Sequence, residues 1–335
     1  MNMNDIIGKA CNFDIYNDNG LLLLPKYTKI TNEHIEWLDQ HQIKLTDDDV
    51  INIDTNDYYQ IVNDAVEESK DVFDEVRHTM QLPMGYIEES IIPSLSNITV
   101  GAHVIDLFIS LQAKDDYTYR HNIAVGALAS IVGKWLNFTA EEILELSMAG
   151  FLHDVGKMRI PESILNKPGS LTDEEFAFMK KHTVFGYDII KTTSGTTDRQ
   201  AIVALQHHER MDGTGYPYGL TRNKIDIYSR IVSVVDVFHA MTSRRVYRNE
   251  APFYQVLHEM NAESFGQLDP KITRLFIEKM MLSLIGHDVL LTDGRKANII
   301  MIHKHDPIHP LIRVDDHFID LSKERLVHIE EVISS

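Results

Sequence analysis

Phe151-Leu-His-Asp-Val-Gly-Lys-Met-Arg-Ile-Pro161 is the stretch on which the reading of the whole chain turns. An apolar helical run ends there on His153 and Asp154, where an imidazole and a carboxylate can both turn toward one point. A neutral imidazole nitrogen and a carboxylate oxygen together suit a borderline divalent ion such as iron, manganese, zinc or nickel. The second carboxylate oxygen lets an aspartate bridge two ions. Taken alone, such a pair is more often an ordinary helix end with polar residues facing water.

The segments on either side change that balance. Tyr117-Thr-Tyr-Arg-His121 comes before it, and His182 with Gly186 follows. Then come His207-His-Glu-Arg-Met-Asp-Gly-Thr-Gly-Tyr-Pro217, Gly219-Leu220, and Asp236 ahead of Ala240-Met-Thr-Ser243. In this order the segments resemble the HD-GYP family, the branch of the HD metal-dependent phosphohydrolases that hydrolyses cyclic di-GMP. The resemblance runs from about Ile105 to Gly286. It is specific because the His-Asp pair and the Gly-Tyr-Pro signature occur together with every expected ligand.

Composition sets the outer bounds. The 335 residues, 44% hydrophobic and 24% charged, fit a globular protein with room for two or three domains. A formal net charge of −18 argues against a nucleic-acid polymer or an anionic membrane as partner, since either needs clustered Lys and Arg. An anionic substrate must then be held locally, by metal and a few placed cations. Cys11 is the only cysteine, which excludes an intramolecular disulfide and points to a reducing, cytoplasmic setting. No apolar run reaches the roughly 18 residues of a membrane span, and no basic-then-apolar leader opens the chain.

The expected fold is mainly α: an all-helical HD-type catalytic domain over 105–287, a small α+β N-terminal module over 1–54, connecting helices over 55–104, and a short β-rich appendage over 288–335. In the first module, Asn19-Gly20 between the runs around Phe13–Tyr16 and Leu21–Leu24 predicts a hairpin, and Thr31 caps a helix burying Ile35 and Leu38. A structural or regulatory role suits it. Ile61, Ala65, Val72 and Val76 recur at helical spacing, a stripe for a connector or for a homodimer contact. Capping boxes at Thr139-Ala-Glu-Glu142 and Thr172-Asp-Glu-Glu175 open two helices, the second expected to carry His182. Further helices are expected over Asp198–His208 and Ile225–Met241. Asp293-Gly294 predicts a second hairpin, and His303, His305, His309 and His317 read as surface histidines without metal-site spacing.

The resemblance also assigns roles. It implies that His121, His153 and Asp236 hold one divalent ion, that His182, His207 and His208 hold the other, and that Asp154 bridges them. Two ions, iron or manganese first and zinc or nickel as alternatives, would keep a residual charge of about +2 among these groups. Lys157 would contact the scissile phosphate, against the plainer reading of a lysine reaching for water. Arg245 and Arg248 flanking Tyr247 would grip the nucleotide, against a basic helix end offsetting its dipole. Tyr216 in the Gly-Tyr-Pro loop would line the substrate, and the loop could dock diguanylate cyclase domains. Glu209 reads as an acceptor behind the histidine ligands.

Asn122 replaces the serine usual after the first histidine, and Arg244 stands where the family commonly has an acid. Met211, Val246 and His239 are at loosely constrained positions. Tyr117, four residues before His121, is a phenol where some relatives place a glutamate for a third ion, so two ions are expected. The functions left in play are a cyclic di-GMP phosphodiesterase yielding linear pGpG, with pGpG or GMP as the final product, the same chemistry on a mixed cyclic dinucleotide, and a cyclic dinucleotide-binding module with little turnover.

Overall fold

The computed structural model describes residues 6–13, 15–17, 22–24, 30, 32–46, 49–51, 55–99, 104–111, 117–243, 252–263, 266–324 and 326–333. Short strands open the chain: β1 (Ala10–Cys11), β2 (Ile15–Tyr16) and β3 (Leu22–Leu24), then helix α1 (Asn32–Gln40) and β4 (Val50–Ile51). Strand β2 pairs antiparallel with β3 and β1 with β4. The Asn19-Gly20 turn lies outside the described residues, between the two strands it was expected to join. Ile35 and Leu38 are buried in a small core with Cys11, Leu23, Leu24 and Val50.

Next come α2 (Thr55–Thr79) and α3 (Met84–Tyr86), which runs through a π turn at Ile87–Ile91 into α4 (Ile92–Thr99), followed by α5 (Val104–Leu111). The stripe on α2 is taken up inside the molecule. Val62, Ala65, Val66, Val72, Phe73 and Val76 are buried in the main core, and Phe73 meets Phe151 edge-on at 5.5 Å between ring centroids. Burying each of these Val and Phe side chains is worth about 1.5–3 kcal/mol over leaving it in water, which holds α2 against the body.

Helix α6 (Tyr117–Trp135) runs through the centre and crosses α7 (Ala140–Leu152). Small residues set the crossing: a β-carbon on Gly150 would stand 3.0 Å from the Gly126 Cα, and one on Gly126 2.9 Å from the Ser147 carbonyl. This close approach puts His121, near the start of α6, beside His153, just past the end of α7, with ring centroids 5.2 Å apart. Thr139 and Glu142 form the expected capping box on α7. After α7 the chain turns through Asp154 (φ −102°, ψ 7°) into a 3₁₀ helix, Val155–Arg159.

The helices α8 (Glu162–Leu165), α9 (Asp173–Met179), α10 (His182–Thr192), α11 (Asp198–Gln206), α12 (Ile227–Thr242), α13 (Phe253–Glu263) and α14 (Pro270–Leu282) complete the body. One expectation is corrected. The helix capped by Thr172 and Glu175 stops at Met179, and His182 opens the next one. The His182 ring itself takes the Met179 carbonyl at 2.8 Å, and the Thr183 amide, which would have used that carbonyl in a continuous helix, turns to Lys180 at 3.4 Å. Thr197 and Gln200 box the start of α11, and Asp226 caps α12 by accepting from the Tyr228 amide.

Strands β5 (Asp288–Leu291), β6 (Lys296–His303), β7 (Asp306–Val314), β8 (His317–Asp320) and β9 (Ile329–Val332) form an antiparallel sheet in the order β8-β7-β6-β5-β9. Gly294, at φ +83°, makes the turn from β5 to β6. Val289, Leu291, Ile299, Ile308 and Ile312 on the inner face join the same core as Phe276 and Met280 of α14. His303 meets Asp320 at 3.0 Å and His309 meets Asp306 at 2.9 Å.

Candidate metal centre

Five elements deliver side chains to one buried point. His121 comes from α6, His153 and Asp154 from the end of α7, His182 from the start of α10, His207 and His208 from the end of α11, and Asp236 from the middle of α12. Asp154 stands between two groups. Its Oδ1 lies 3.3 Å from His182 Nε2 and 3.7 Å from His207 Nε2. Its Oδ2 lies 3.3 Å from His153 Nε2 and 3.9 Å from His121 Nε2. Asp236 Oδ1 adds 3.1 Å to His121 Nε2 and 3.9 Å to His153 Nε2. Ligand atoms of Asp154, His182, His207 and His208 fall within 4.8 Å of one another, as do those of His121, His153 and Asp154.

These residues fit divalent ions. His153 Nε2 and Asp154 Oδ1 are buried and lack a hydrogen-bond partner, at a place where burial without one is costly. Burial pushes His182 down to about 4, and burial with the neighbouring His153 pushes His207 down to about 3, so both imidazoles are neutral and offer lone pairs. Burial also lowers His121, and lowers His208 well below the ordinary histidine value. Burial opposes ionisation of Asp154 and Asp236, but Lys157 and His153 around the first, and His121 beside the second, hold both carboxyls well below the usual range. For His153 the pull of Asp154 outweighs burial and raises the ring. Neutral imidazoles facing two carboxylates are the donor set of a borderline metal.

The backbone orients these rings. His153 Nδ1 donates to the Gly150 carbonyl at 2.7 Å, His182 Nδ1 to Met179 at 2.8 Å and His207 Nδ1 to Ala204 at 2.9 Å. Each bond turns Nε2 toward the shared carboxylate.

Comparison with known proteins agrees with this geometry. Residues 107–272 match the HD domain family. The chain is 36% identical over 206 residues to a cyclic di-GMP phosphodiesterase of Pseudomonas aeruginosa, covering 62% of this chain and 50% of the relative. It is 40% identical over 166 residues to a cyclic di-GMP phosphodiesterase of Thermotoga maritima, covering 49% of this chain and 45% of the relative. This chain carries an HD domain. A 3′3′-cGAMP-specific phosphodiesterase of Vibrio cholerae is also similar, 36% identical over 175 residues, 51% of this chain and 38% of the relative. The chain thus spans half or less of the length of each of these relatives. Its fold matches an HDG“Y”P protein from Bdellovibrio bacteriovorus with a TM-score of 0.55 at 17% identity, over 81% of this chain and 93% of that one.

The Gly-Tyr-Pro loop of this HD-domain protein is tied to the histidine cluster by Glu209. Its buried carboxylate accepts from the Tyr218 and Leu220 amides, both at 2.8 Å. Glu209 is therefore an acceptor for the loop and not for the histidine rings. Gly213 has the expected positive φ of +82°, but Gly215 does not. Gly215 is needed for space, because a β-carbon there would stand 2.3 Å from the Arg210 amide nitrogen and 2.5 Å from the His208 carbonyl oxygen. The loop lays the Tyr216 ring 4.7 Å from His208, tilted by 33°, and burial beside Asp154 and Asp236 pushes its phenol up.

Lys157 projects from the 3₁₀ turn and pairs with Asp154 Oδ2. Arg244, Arg245, Val246, Tyr247 and Arg248 lie outside the described residues, as do Asp115, Asp116 and the Tyr117 side chain. His239 is fully buried, which its loosely constrained position did not suggest. The available signal was its spacing: three residues after Asp236 on a helix, it shares that ligand's face.

Proposed function

We propose that this chain is a metal-dependent phosphodiesterase that opens cyclic di-GMP to linear pGpG and carries the product on to GMP. The observation that carries the reading is Asp154, one buried carboxylate with a histidine group on each of its two oxygens. His121, His153, Asp154 and Asp236 would hold one ion and Asp154, His182, His207 and His208 the other, iron or manganese before zinc or nickel. Such a pair of ions supplies an acidified water at neutral pH and positive charge for the phosphoryl oxygens.

The chain's own residues do the rest. Asp154 holds the Lys157 ammonium at the edge of the site, where it would meet a non-bridging phosphoryl oxygen and stabilise charge as it builds. The Tyr216 ring, tilted over His208, would close one side as a wall for the substrate. Arg245 and Arg248 would grip the nucleotide, as the family resemblance implies. In the reaction the oxygen of water bonds to phosphorus, the bond from phosphorus to the ribose 3′ oxygen breaks, and that oxygen takes up a proton.

A second substrate is favoured by a specific finding. The similarity to a 3′3′-cGAMP-specific phosphodiesterase of Vibrio cholerae supports hydrolysis of a mixed cyclic dinucleotide at the same centre. Tyr218 on the loop, 64% exposed, supports the loop as a surface for a diguanylate cyclase domain. Among the described residues no helix is long and apolar enough to cross a membrane, and a cytoplasmic setting belongs to this reading.

The test is anaerobic loading with iron or manganese, incubation with cyclic di-GMP and separately with 3′3′-cGAMP, and chromatography of the products. Linear pGpG followed by GMP is expected. Release from 3′3′-cGAMP alone would move the substrate to the mixed dinucleotide. Binding of both without any product would make the chain a sensor.

A further inference from the structure

His239 is a fully buried imidazole on α12 that the chemistry above does not use. Its Nδ1 lies 3.0 Å from Nδ1 of His121, and its Nε2 lies 3.3 Å from the carbonyl oxygen of Leu111 at the end of α5. The Ser243 hydroxyl is 3.3 Å from each ring nitrogen. His153, His182 and His207 each point Nδ1 at a carbonyl three residues back along the chain, whereas Nδ1 of His121 points at another imidazole.

Two ring nitrogens 3.0 Å apart share one proton, so one must donate and the other accept. The Leu111 carbonyl breaks the symmetry, because an oxygen of that kind only accepts. It calls for a proton on His239 Nε2. A neutral His239 then has a bare Nδ1, which accepts the proton of His121 Nδ1, and His121 Nε2 is left with its lone pair facing Asp154 and Asp236. The opposite order puts a proton on His121 Nε2 against Asp236 and sets a lone pair of His239 against the Leu111 carbonyl. That form is closed to a cation.

We propose that His239 is a positioning residue that fixes His121 as an Nε2 metal ligand, through a directed chain from His121 Nδ1–H to His239 Nδ1 and from His239 Nε2–H to the Leu111 carbonyl. The inference rests on the metal-binding part of the proposed function and is independent of the substrate. Through His239 the loading of one ion depends on α5 and α12, while the ion held by His182, His207 and His208 relies on carbonyls of α9 and α11.

The test uses the full chain and needs no turnover. With zinc bound and histidines labelled with nitrogen-15, long-range proton–nitrogen correlation is expected to find His239 protonated at Nε2 and bare at Nδ1. A protonated Nδ1 or a doubly protonated ring would overturn the proposal. In calorimetric titration with zinc, His239→Leu is expected to weaken one of two binding events by about 10–100-fold and leave the other unchanged, the usual scale for losing the partner behind a ligand. His239→Asn, whose Oδ1 occupies the place of Nδ1, is expected to restore most of that affinity. Wild-type zinc binding by folded His239→Leu, or an Asn variant as weak as Leu, would refute the proposal. Should His239→Leu fail to fold, the wild-type spectrum and the Asn titration decide it. Failure to hydrolyse any cyclic dinucleotide would leave these readouts intact and strike only the substrate reading.

Discussion

Gly156 and His182 approach so closely that a β-carbon built on Gly156 would stand 1.9 Å from the His182 carbonyl oxygen and 2.3 Å from the Gly186 amide nitrogen. The turn carrying Asp154 and the helix carrying His182 are thus in backbone contact, and only glycine allows it. Both obstacles are backbone atoms, which cannot rotate aside. Gly156→Ala is expected to cost about 3 kcal/mol or more, the upper end of overpacking, and to lose the ion held by His182. A thermal melt with metal analysis checks this. Gly85→Ala, where nothing lies within 4 Å, is the control and should melt no lower than the wild type. Equal melting of the two variants would dispose of the argument.

Asp154→Asn keeps the shape of the shared ligand and removes its charge. Because each oxygen serves a different histidine group, both ions should be lost together, and hydrolysis with them. Elemental analysis of anaerobically purified protein would read about two ions per chain falling toward none. A variant that retains two ions and full turnover would rule out a bridging role.

Glu209→Ala removes the acceptor of two loop amides. Bonds to a charged acceptor are worth about 1.5–3 kcal/mol each in favourable settings, so a loss of about 2–3 kcal/mol in stability is expected. Proteolysis within residues 212–220 should quicken. An unchanged cleavage rate would mean that the loop is held by something else.

Arg245→Ala is expected to raise KM for cyclic di-GMP while hydrolysis of a small generic phosphodiester stays nearly unchanged, since only binding specific to the nucleotide is removed. Equal losses on both substrates would make Arg245 a catalytic or structural residue.

Much of the candidate site is legible in the sequence because most of its residues lie at or near helix ends or inside periodic runs. Thr139 and Glu142 announce α7, and its length delivers His153 to the right place. What the sequence hides is backbone proximity. Nothing near Gly156 signals that His182 will press against it, and the break before His182 arises from a ring taking a carbonyl, which no propensity encodes. The role of Glu209 is hidden for a related reason: its partners are main-chain amides 9 and 11 residues away, and these carry no side-chain signature.

Glu209 follows His208 directly, so the clasp on the Gly-Tyr-Pro loop and a proposed ligand of the second ion share one stretch of backbone. Placement of the loop and occupancy of the metal site are therefore linked equilibria, and linkage is reciprocal: any factor by which metal favours the clasped loop is the factor by which clasping favours metal. A protein seated on Tyr218 would then act as an effector of metal retention without touching a ligand. The linkage is measurable as slower hydrogen exchange at the Tyr218 and Leu220 amides when metal is added, and exchange indifferent to metal would show that the two equilibria are separate.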